Sequence, residues 1–314
     1  MLKYSPKMLN FVLIMKQRRK LYAIINPYSG THSKDAIPAA LERAIDPETW
    51  QLKVGVIDRN SHLQQMAAEA IAENYDGVIA VGGDGTVNGV AAALRGSRVA
   101  LGIVPCGSGN GLARHLQIPV NVEKSLAIIN AGNIEDFDYC TVNGRPFFCT
   151  CGMGFDAQVA ERFSHEGRRG PVTYLKSAFM EYVKFHHEQY RIEINGATMF
   201  EKAFVIACAN ASQYGNNAYI APKASMRDGL IDVVVIHPFM PIVAPIVGLK
   251  LFTRNIDKDI NISTYTTSHL KIYRNAPGVM HLDGEPVEMP AELDIKCHPQ
   301  GIKIFCPADA ATEV

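Results

Sequence analysis

Short runs of aliphatic and β-branched residues alternate, early in the chain, with segments whose apolar positions recur every three or four residues. The runs at Leu21, Ala23, Ile24 and Ile25, at Val54, Val56 and Ile57, at Val78 to Val81 and at Val99 to Val104 end at turn residues and read as buried parallel strands. Between them, Ile37, Ala40, Leu41, Ala44 and Ile45 share one helical face, as do Leu63, Met66, Ala67, Ala70 and Ile71. Ser61, with Gln64 three positions on, has the form of a capping box opening the second of these helices. Two further helices are expected around Val87 to Leu94 and Val122 to Ile129, the latter closed by Gly132. Strand and helix thus alternate to about residue 132, which predicts a doubly wound α/β domain.

Beyond that point the pattern changes. Asn143-Gly144 and Asn195-Gly196 are two-residue hairpin signals, and period-two alternation recurs in Ile231 to Ile236, Leu270 to Tyr273 and Leu293 to Cys297. The second half therefore reads as a β-rich, sandwich-like domain. One helix is expected within it, with Pro171 near its first turn and Val172, Leu175, Ala178, Phe179, Tyr182 and Phe185 on one side. A second helical segment, Ile242 to Phe252, is apolar nearly all round and is assigned to the core, with a lipid-facing surface as the alternative. The expected organisation is an extension over 1–20, an α/β domain over 21–137, a β-rich domain over 138–306 whose last segment returns to the first domain, and a tail over 307–314.

Composition narrows the classes. In 314 residues, 31 Lys plus Arg balance 31 Asp plus Glu, so the chain lacks the uniform basic charge used to hold nucleic acid. Seven cysteines form no CxxC pair, and reduced thiols in a cytoplasm are expected. The early apolar run Leu9 to Met15, followed by Lys16-Gln-Arg-Arg-Lys20, is far short of the roughly 20 residues that span a bilayer. It reads as a loose extension, with a juxtamembrane anchor as the alternative.

The most informative segment is Val81-Gly-Gly-Asp-Gly-Thr-Val-Asn88, directly after an expected strand and leading into a helix. Glycines at 82, 83 and 85 allow close backbone approach to an anion, and a following helix offers unpaired N–H groups and the positive end of its dipole. No GxxxxGK[ST] occurs, which excludes a P-loop hydrolase. Asn26-Pro-Tyr-Ser-Gly30 and Pro105-Cys-Gly-Ser-Gly-Asn110 also follow expected strands, at the carboxyl ends where open α/β sheets place ligands.

These residues resemble the bacterial diacylglycerol kinases and the eukaryotic sphingosine and ceramide kinases, over about residues 21 to 306. Gly152-Met-Gly-Phe-Asp156, Ser225-Met-Arg-Asp-Gly-Leu230 and Leu282-Asp-Gly-Glu285 match further family positions. NAD kinases carry a similar glycine loop together with an Asn-Glu pair that grips ribose, and no Asn-Glu dipeptide occurs here. Two departures stand out. Gly89 takes the place of a common Glu, and Asp58-Arg-Asn-Ser61 lies where a Thr is usual after the second strand.

The resemblance implies an ATP-dependent, Mg²⁺-requiring lipid kinase whose acceptor is a lipid alcohol such as diacylglycerol at the membrane surface. A sphingoid-base or ceramide kinase, an NAD kinase and a non-catalytic nucleotide- or lipid-binding regulator are the alternatives. It implies a cytoplasmic protein in peripheral contact with the inner face of the membrane; oligomeric state is not legible. The triphosphate would be held by Asn26, Pro27, Ser29, Gly30, Gly82, Gly83, Asp84, Gly85, Thr86, Asn88, Ser108 and Asn110, with Asp84 on nucleotide or Mg²⁺. Glu285 is the implied proton acceptor with Asp283 essential beside it. Residues two apart in an extended stretch project to one side, so both carboxylates are expected to face one cleft; a bare Asp-Gly hairpin turn is the plain alternative. A structural Mg²⁺ is implied at Ser225, Asp228 and Leu230. His115, His186-His187, His237, His281 and His298 lack metal-ligand spacing and are expected to be solvated or core residues. Cys149 and Cys151 are expected to pack. Arg162, His165, Arg168 and Arg169 read either as a lipid-headgroup contact or as a solvated loop.

Overall fold

Alternation of side chains across a pleated strand lets one sheet bury helices on both faces, and β3 (Gly77–Gly82) shows how this sequence does it. In the computed structural model, which describes residues 18–29, 36–58, 62–166 and 188–308, Val78 and Ala80 pack with α2 (Leu63–Ala72) and α3 (Asp84–Leu94). Ile79 and Val81 point the other way, to α1 (Ile37–Ala44) and α5 (Val122–Ala131). With β1 (Arg19–Ile25), β2 (Trp50–Val56) and β4 (Ala100–Pro105), the parallel order is β2-β1-β3-β4, the expected doubly wound unit. A short helix, α4 (Gly111–His115), follows β4. β2 departs from the buried reading: it is the edge strand, and Val56 is half exposed.

The sheet does not stop at β4. The last strand, β16 (Glu292–Phe305), returns beside it, parallel at Ile304 and Leu101, and runs antiparallel to β5 (Ile134–Val142) and β13 (His269–Tyr273). β6 (Arg145–Phe147), β8 (Glu188–Ile194) and β9 (Ala197–Ala203) complete a ten-stranded mixed sheet. A six-stranded antiparallel sheet faces its C-terminal half: β7 (Thr150–Gly154), β10 (Val205–Ala209), β11 (Ile231–Ile236), β12 (Ile262–Thr267), β14 (Gly278–Leu282) and β15 (Glu285–Met289). Ile192, Leu270 and Ile295 from one sheet meet Cys151, Ile206, Val233 and Met280 from the other, which makes a β sandwich. β10 is buried on both faces because Ile220, Ala221 and Ala224 cover its outer side. The hairpins at Asn143-Gly144 and Asn195-Gly196 form with both turn residues at positive φ, as a type I′ turn requires.

Asn210, fully buried, fastens the junction of the two sheets. Its Nδ2 donates to the carbonyls of Asp138 (3.0 Å) and Phe148 (2.8 Å), and its backbone N–H donates to the carbonyl of Cys149. All seven cysteines are free thiols, and Cys149 and Cys151 are buried, their thiols held well above the usual range by burial.

Several expectations are corrected. α3 begins at Asp84, three residues before Val87, so the glycine loop is itself the helix N-terminus. α2 begins at Leu63 with His62 as N-cap rather than Ser61. A helix not expected from the pattern, α6 (Phe155–Glu166), follows β7. The Ile242–Phe252 segment is not core. Its helix, α7 (Ala244–Phe252), buries Val247 alone, while Ile246, Leu249 and Phe252 are exposed. Gly30, the residues Arg-Asn-Ser at 59–61, the helix expected near Pro171, His186-His187, Arg168, Arg169 and the side chains of Arg162 and His165 lie outside the described residues. Among the described residues no helix is long and apolar enough to cross a membrane.

Asn210→Ala leaves two buried carbonyls without a donor, so unfolding in urea should show a loss of ~2–4 kcal/mol with an unchanged m-value.

Candidate active site

The strand-to-helix turn after β3 is set by contacts that only glycine permits. A Cβ on Gly107 would stand 2.7 Å from the Gly83 Cα, and one on Gly109 would stand 2.8 Å from the Asp84 carboxylate. The loops after β3 and β4 therefore lie backbone to backbone. Asp84 joins them: its Oδ2 accepts from the Asn110 N–H (2.8 Å) and its Oδ1 from the Gly111 N–H (2.7 Å). Each oxygen accepts one bond from the neighbouring loop, so Asp84 braces the two loops and each oxygen keeps a lone pair beyond that bond. Asn110 holds the loop after β4 from within. It is buried at φ 51, accepts from the Gly107 N–H (2.9 Å) and donates to the Gly107 carbonyl (2.8 Å).

The loop after β1 closes the third side. Asn26 Nδ2 donates to Thr86 Oγ1 (3.0 Å), its Oδ1 accepts from the Tyr28 N–H (3.0 Å), and the Gly83 N–H donates to Ser29 Oγ (3.3 Å). Pro27, Gly85 and Ser108 are exposed around this cradle, and Asn88 is half-buried on the first turns of α3. Gly82 backs onto the Thr86 side chain, where a Cβ would clash at 2.5 Å. Gly89 faces away from the cradle: a Cβ there would meet Leu63 Cδ2 at 2.3 Å, so the glycine serves close packing of α2 on α3.

The β14–β15 hairpin delivers the downstream acids. Asp283 and Gly284 both have positive φ (51° and 85°), so this Asp-Gly is a true I′ turn as well as a site motif. The two carboxylates do not share one cleft, because the left-handed turn sends them apart. Asp283 turns inward, its Oδ2 accepting from the Phe148 N–H (2.9 Å) and its Oδ1 from the N–H groups of Cys149 (2.7 Å) and Thr150 (3.0 Å). Glu285 is exposed and reaches the glycine loop, with Oε1 3.4 Å from where a Gly85 Cβ would be. Asp283 is therefore a positioning residue, and of the two acids it is Glu285 that presents a carboxylate to the cradle. At its other end the hairpin is held by Arg274, which donates to the carbonyls of Gly278, Val279, Met289 and Pro290.

A buried network behind the hairpin was not legible in the sequence. His281 Nε2 lies 3.1 Å from Asp156 Oδ2, which also accepts from the Tyr214 hydroxyl (3.1 Å), and the Gly284 N–H points at His281 Nδ1 (3.4 Å). A side chain at Gly152 would overlap both Asp156 and His281. The signal available was a charged residue in apolar surroundings, Asp156 after Met-Gly-Phe and His281 within β14.

Ser225, Asp228 and Leu230 form a tight turn in which Asp228 Oδ1 accepts from the Leu230 N–H (2.9 Å) and Ser225 Oγ accepts from the Arg227 N–H (3.2 Å). Asp138, buried and also missed in the sequence, pins that turn to β16: Oδ2 accepts from the Gly229 N–H (2.7 Å) and Oδ1 from the Gln300 N–H (2.8 Å). The donors on offer, one exposed carboxylate and neighbouring carbonyls, are all oxygen and fit a hard cation that keeps water ligands. Among the described residues no three His, Cys, Asp or Glu side chains converge as a metal cluster.

An α/β sheet with a glycine turn, and an acid brought to it by a β sandwich, form a cleft of the kind phosphoryl transfer needs. The chain matches the diacylglycerol kinase catalytic domain over residues 20–142 and the YegS C-terminal NAD kinase beta sandwich-like domain over residues 149–306. It belongs to the diacylglycerol kinase and YegS-like lipid kinase family, and is a lipid kinase. A probable lipid kinase YegS-like of Klebsiella pneumoniae is 31% identical over 70% of this chain and 74% of its own. Its Pseudomonas putida counterpart is 25% identical over 88% and 94%. A putative diacylglycerol kinase from Bacillus anthracis shares the fold at TM-score 0.73 and 21% identity, covering 92% of this chain and 98% of its own. An NAD kinase from Archaeoglobus fulgidus in complex with ATP shares it more distantly, at TM-score 0.54 and 14% identity over 92% and 95%.

Burial pushes the Asp283 carboxyl up to about 6, against the opposing pull of its three amide donors and of His281. The ionised form that accepts all three bonds is present above that pH and is lost below it. Kinase activity should therefore fall as pH drops through about 6, and Asp283→Asn should remove that limb from the pH profile of kcat/KM. The sign for stability is opposite to that of a salt-bridged aspartate. The folded state holds this proton more tightly than the unfolded chain, so the group's contribution is greatest at low pH and declines as pH rises from about 4 through about 6.

Proposed function

We propose that this lipid kinase transfers the γ-phosphoryl of ATP to the hydroxyl of a membrane lipid alcohol such as diacylglycerol. The observation that carries this reading is the approach of Glu285 to Gly85, one carboxylate beside the exposed part of the glycine turn. Phosphoryl transfer asks a protein mainly for positioning and charge stabilisation. The amides of Asp84 and Gly85, at the positive end of α3, would receive the phosphates, with Asn26, Thr86 and Ser29, the last bonded by the Gly83 amide, holding the neighbouring loop and Pro27 and Ser108 at its rim. Glu285 would accept the proton of the attacking hydroxyl.

Mg²⁺ bound with the nucleotide would neutralise phosphate charge. A second Mg²⁺ would be held by Asp228 with Ser225 and Leu230, bracing the turn that Asp138 pins. Peripheral contact with a membrane follows from the acceptor's chemistry, because a long-chain lipid reaches the cleft from a bilayer.

Glu285→Gln should lower kcat by ~10²- to 10⁴-fold in a γ-labelled ATP assay with diacylglycerol in mixed micelles, and leave ATP affinity within ~3-fold. Undiminished turnover, or transfer to NAD in place of any lipid, contradicts the reading. Gly107→Ala drives a methyl against the Gly83 backbone and should weaken ATP binding by ~10-fold or more, measured by calorimetric titration.

A further inference from the structure

Helix α7 and the turns around it make a surface that a folded protein in water does not ordinarily leave bare. Along it, Ile242, Ile246 and Leu249 fall at helical spacing on one face, 80%, 56% and 63% exposed, with Phe252 beside them. Met240 before the helix and Ile260 after it extend the patch, Ile260 being 97% exposed. A groove of about 680 Å³ opens next to the helix, lined by Pro238, Phe239, Met240, Val243 and Ile260 among others. Apolar side chains clustered in this way mark an interaction surface.

The charges of the same segment point to what covers it. Its acids are turned inward: Asp259 pairs with Lys250 at 2.8 Å and Asp257 with Lys223 at 2.8 Å, their side chains only 5% and 13% exposed. The charges left facing solvent outside these pairs are cationic: Arg254 and Lys258 are exposed. An apolar face rimmed by cations is complementary to a bilayer bearing anionic headgroups, with the apolar side chains entering the acyl boundary and the cations resting at phosphate level.

The patch is also wired to the cleft. The carbonyl of Leu251 in α7 accepts from the Tyr219 N–H, and Arg254 donates to the Tyr219 hydroxyl (2.8 Å). In the same loop Tyr214 bonds Asp156 and the Asn216 N–H donates to the Gly109 carbonyl beside the cradle. We propose that α7, with Met240, Ile242 and Ile260, is the surface by which this kinase docks on an anionic membrane to reach its lipid acceptor. The proposal rests on the membrane-lipid reading above, and its test separates the two.

The full-length protein would be mixed with vesicles of phosphatidylcholine and phosphatidylglycerol in equal parts. Wild type should co-sediment with them. The triple variant Ile246→Glu, Leu249→Glu, Phe252→Glu should lose ~10-fold or more of that binding and of activity on long-chain diacylglycerol in vesicles. It should keep its activity on short-chain, water-soluble diacylglycerol. Two measurements guard against a folding artefact. Ile260→Glu alone should weaken vesicle binding measurably. Leu249→Trp, in a chain whose one native tryptophan, Trp50, is buried, should show blue-shifted emission when vesicles are added. Wild-type-like vesicle binding by the triple variant, or an unshifted emission from the Leu249→Trp variant, overturns the proposal. So does a wild-type dimer that the triple variant dissolves while vesicle binding persists, which would assign the patch to a second copy. Transfer to neither short- nor long-chain diacylglycerol by wild type would instead sink the functional reading, with docking still read from sedimentation.

Discussion

A single inward-turned carboxylate holds the cleft together. Three successive amides, those of Phe148, Cys149 and Thr150, converge on Asp283, and this fixes the tip of the hairpin to the segment entering β7, whose Phe148 and Cys149 pack in the core of the α/β unit. A two-residue I′ turn leaves its side chains little choice of direction. With Asp283 drawn inward, Glu285 is sent outward to the glycine loop. Asp283 faces three backbone amides and not the cradle, and the position of the outward acid depends on it. Arg274 at the base of the hairpin and His281 beneath its tip restrain the remaining freedom.

The nucleotide side is built on the same economy of means. Glycines at 83, 107 and 109 bring two loops into backbone contact, and Asp84 and Asn110 hold that contact with their polar atoms. The outcome is a rim of backbone amides fixed by side chains. Preorganisation of this kind is what an electrostatic site needs, since donors already in place need no reordering when charge develops.

Features that depend on local chemistry were legible in the sequence. The doubly wound unit follows from alternating periods, the Asn-Gly hairpins from turn residues, and the glycine loop from three glycines after an apolar run. What depends on distant pairing was not. Asp138, Asp156, Asn210 and His281 each find partners far along the chain, and nothing near them names those partners. Direction misled as well. Spacing two apart put Asp283 and Glu285 on one side, but that rule holds for extended backbone and fails where φ turns positive. Apolarity all round α7 reads as burial in the sequence, yet the helix lies at the surface and buries Val247 alone.

The central claim is that Asp283 acts only by placing Glu285, and a double-mutant cycle on kcat tests it most directly. Asp283→Asn and Glu285→Gln would be measured singly and together with the same ATP and diacylglycerol. The account predicts that the double variant is no slower than Glu285→Gln alone, because a misplaced and a missing base are equivalent. Losses that multiply would contradict it, giving Asp283 a part in catalysis independent of its neighbour.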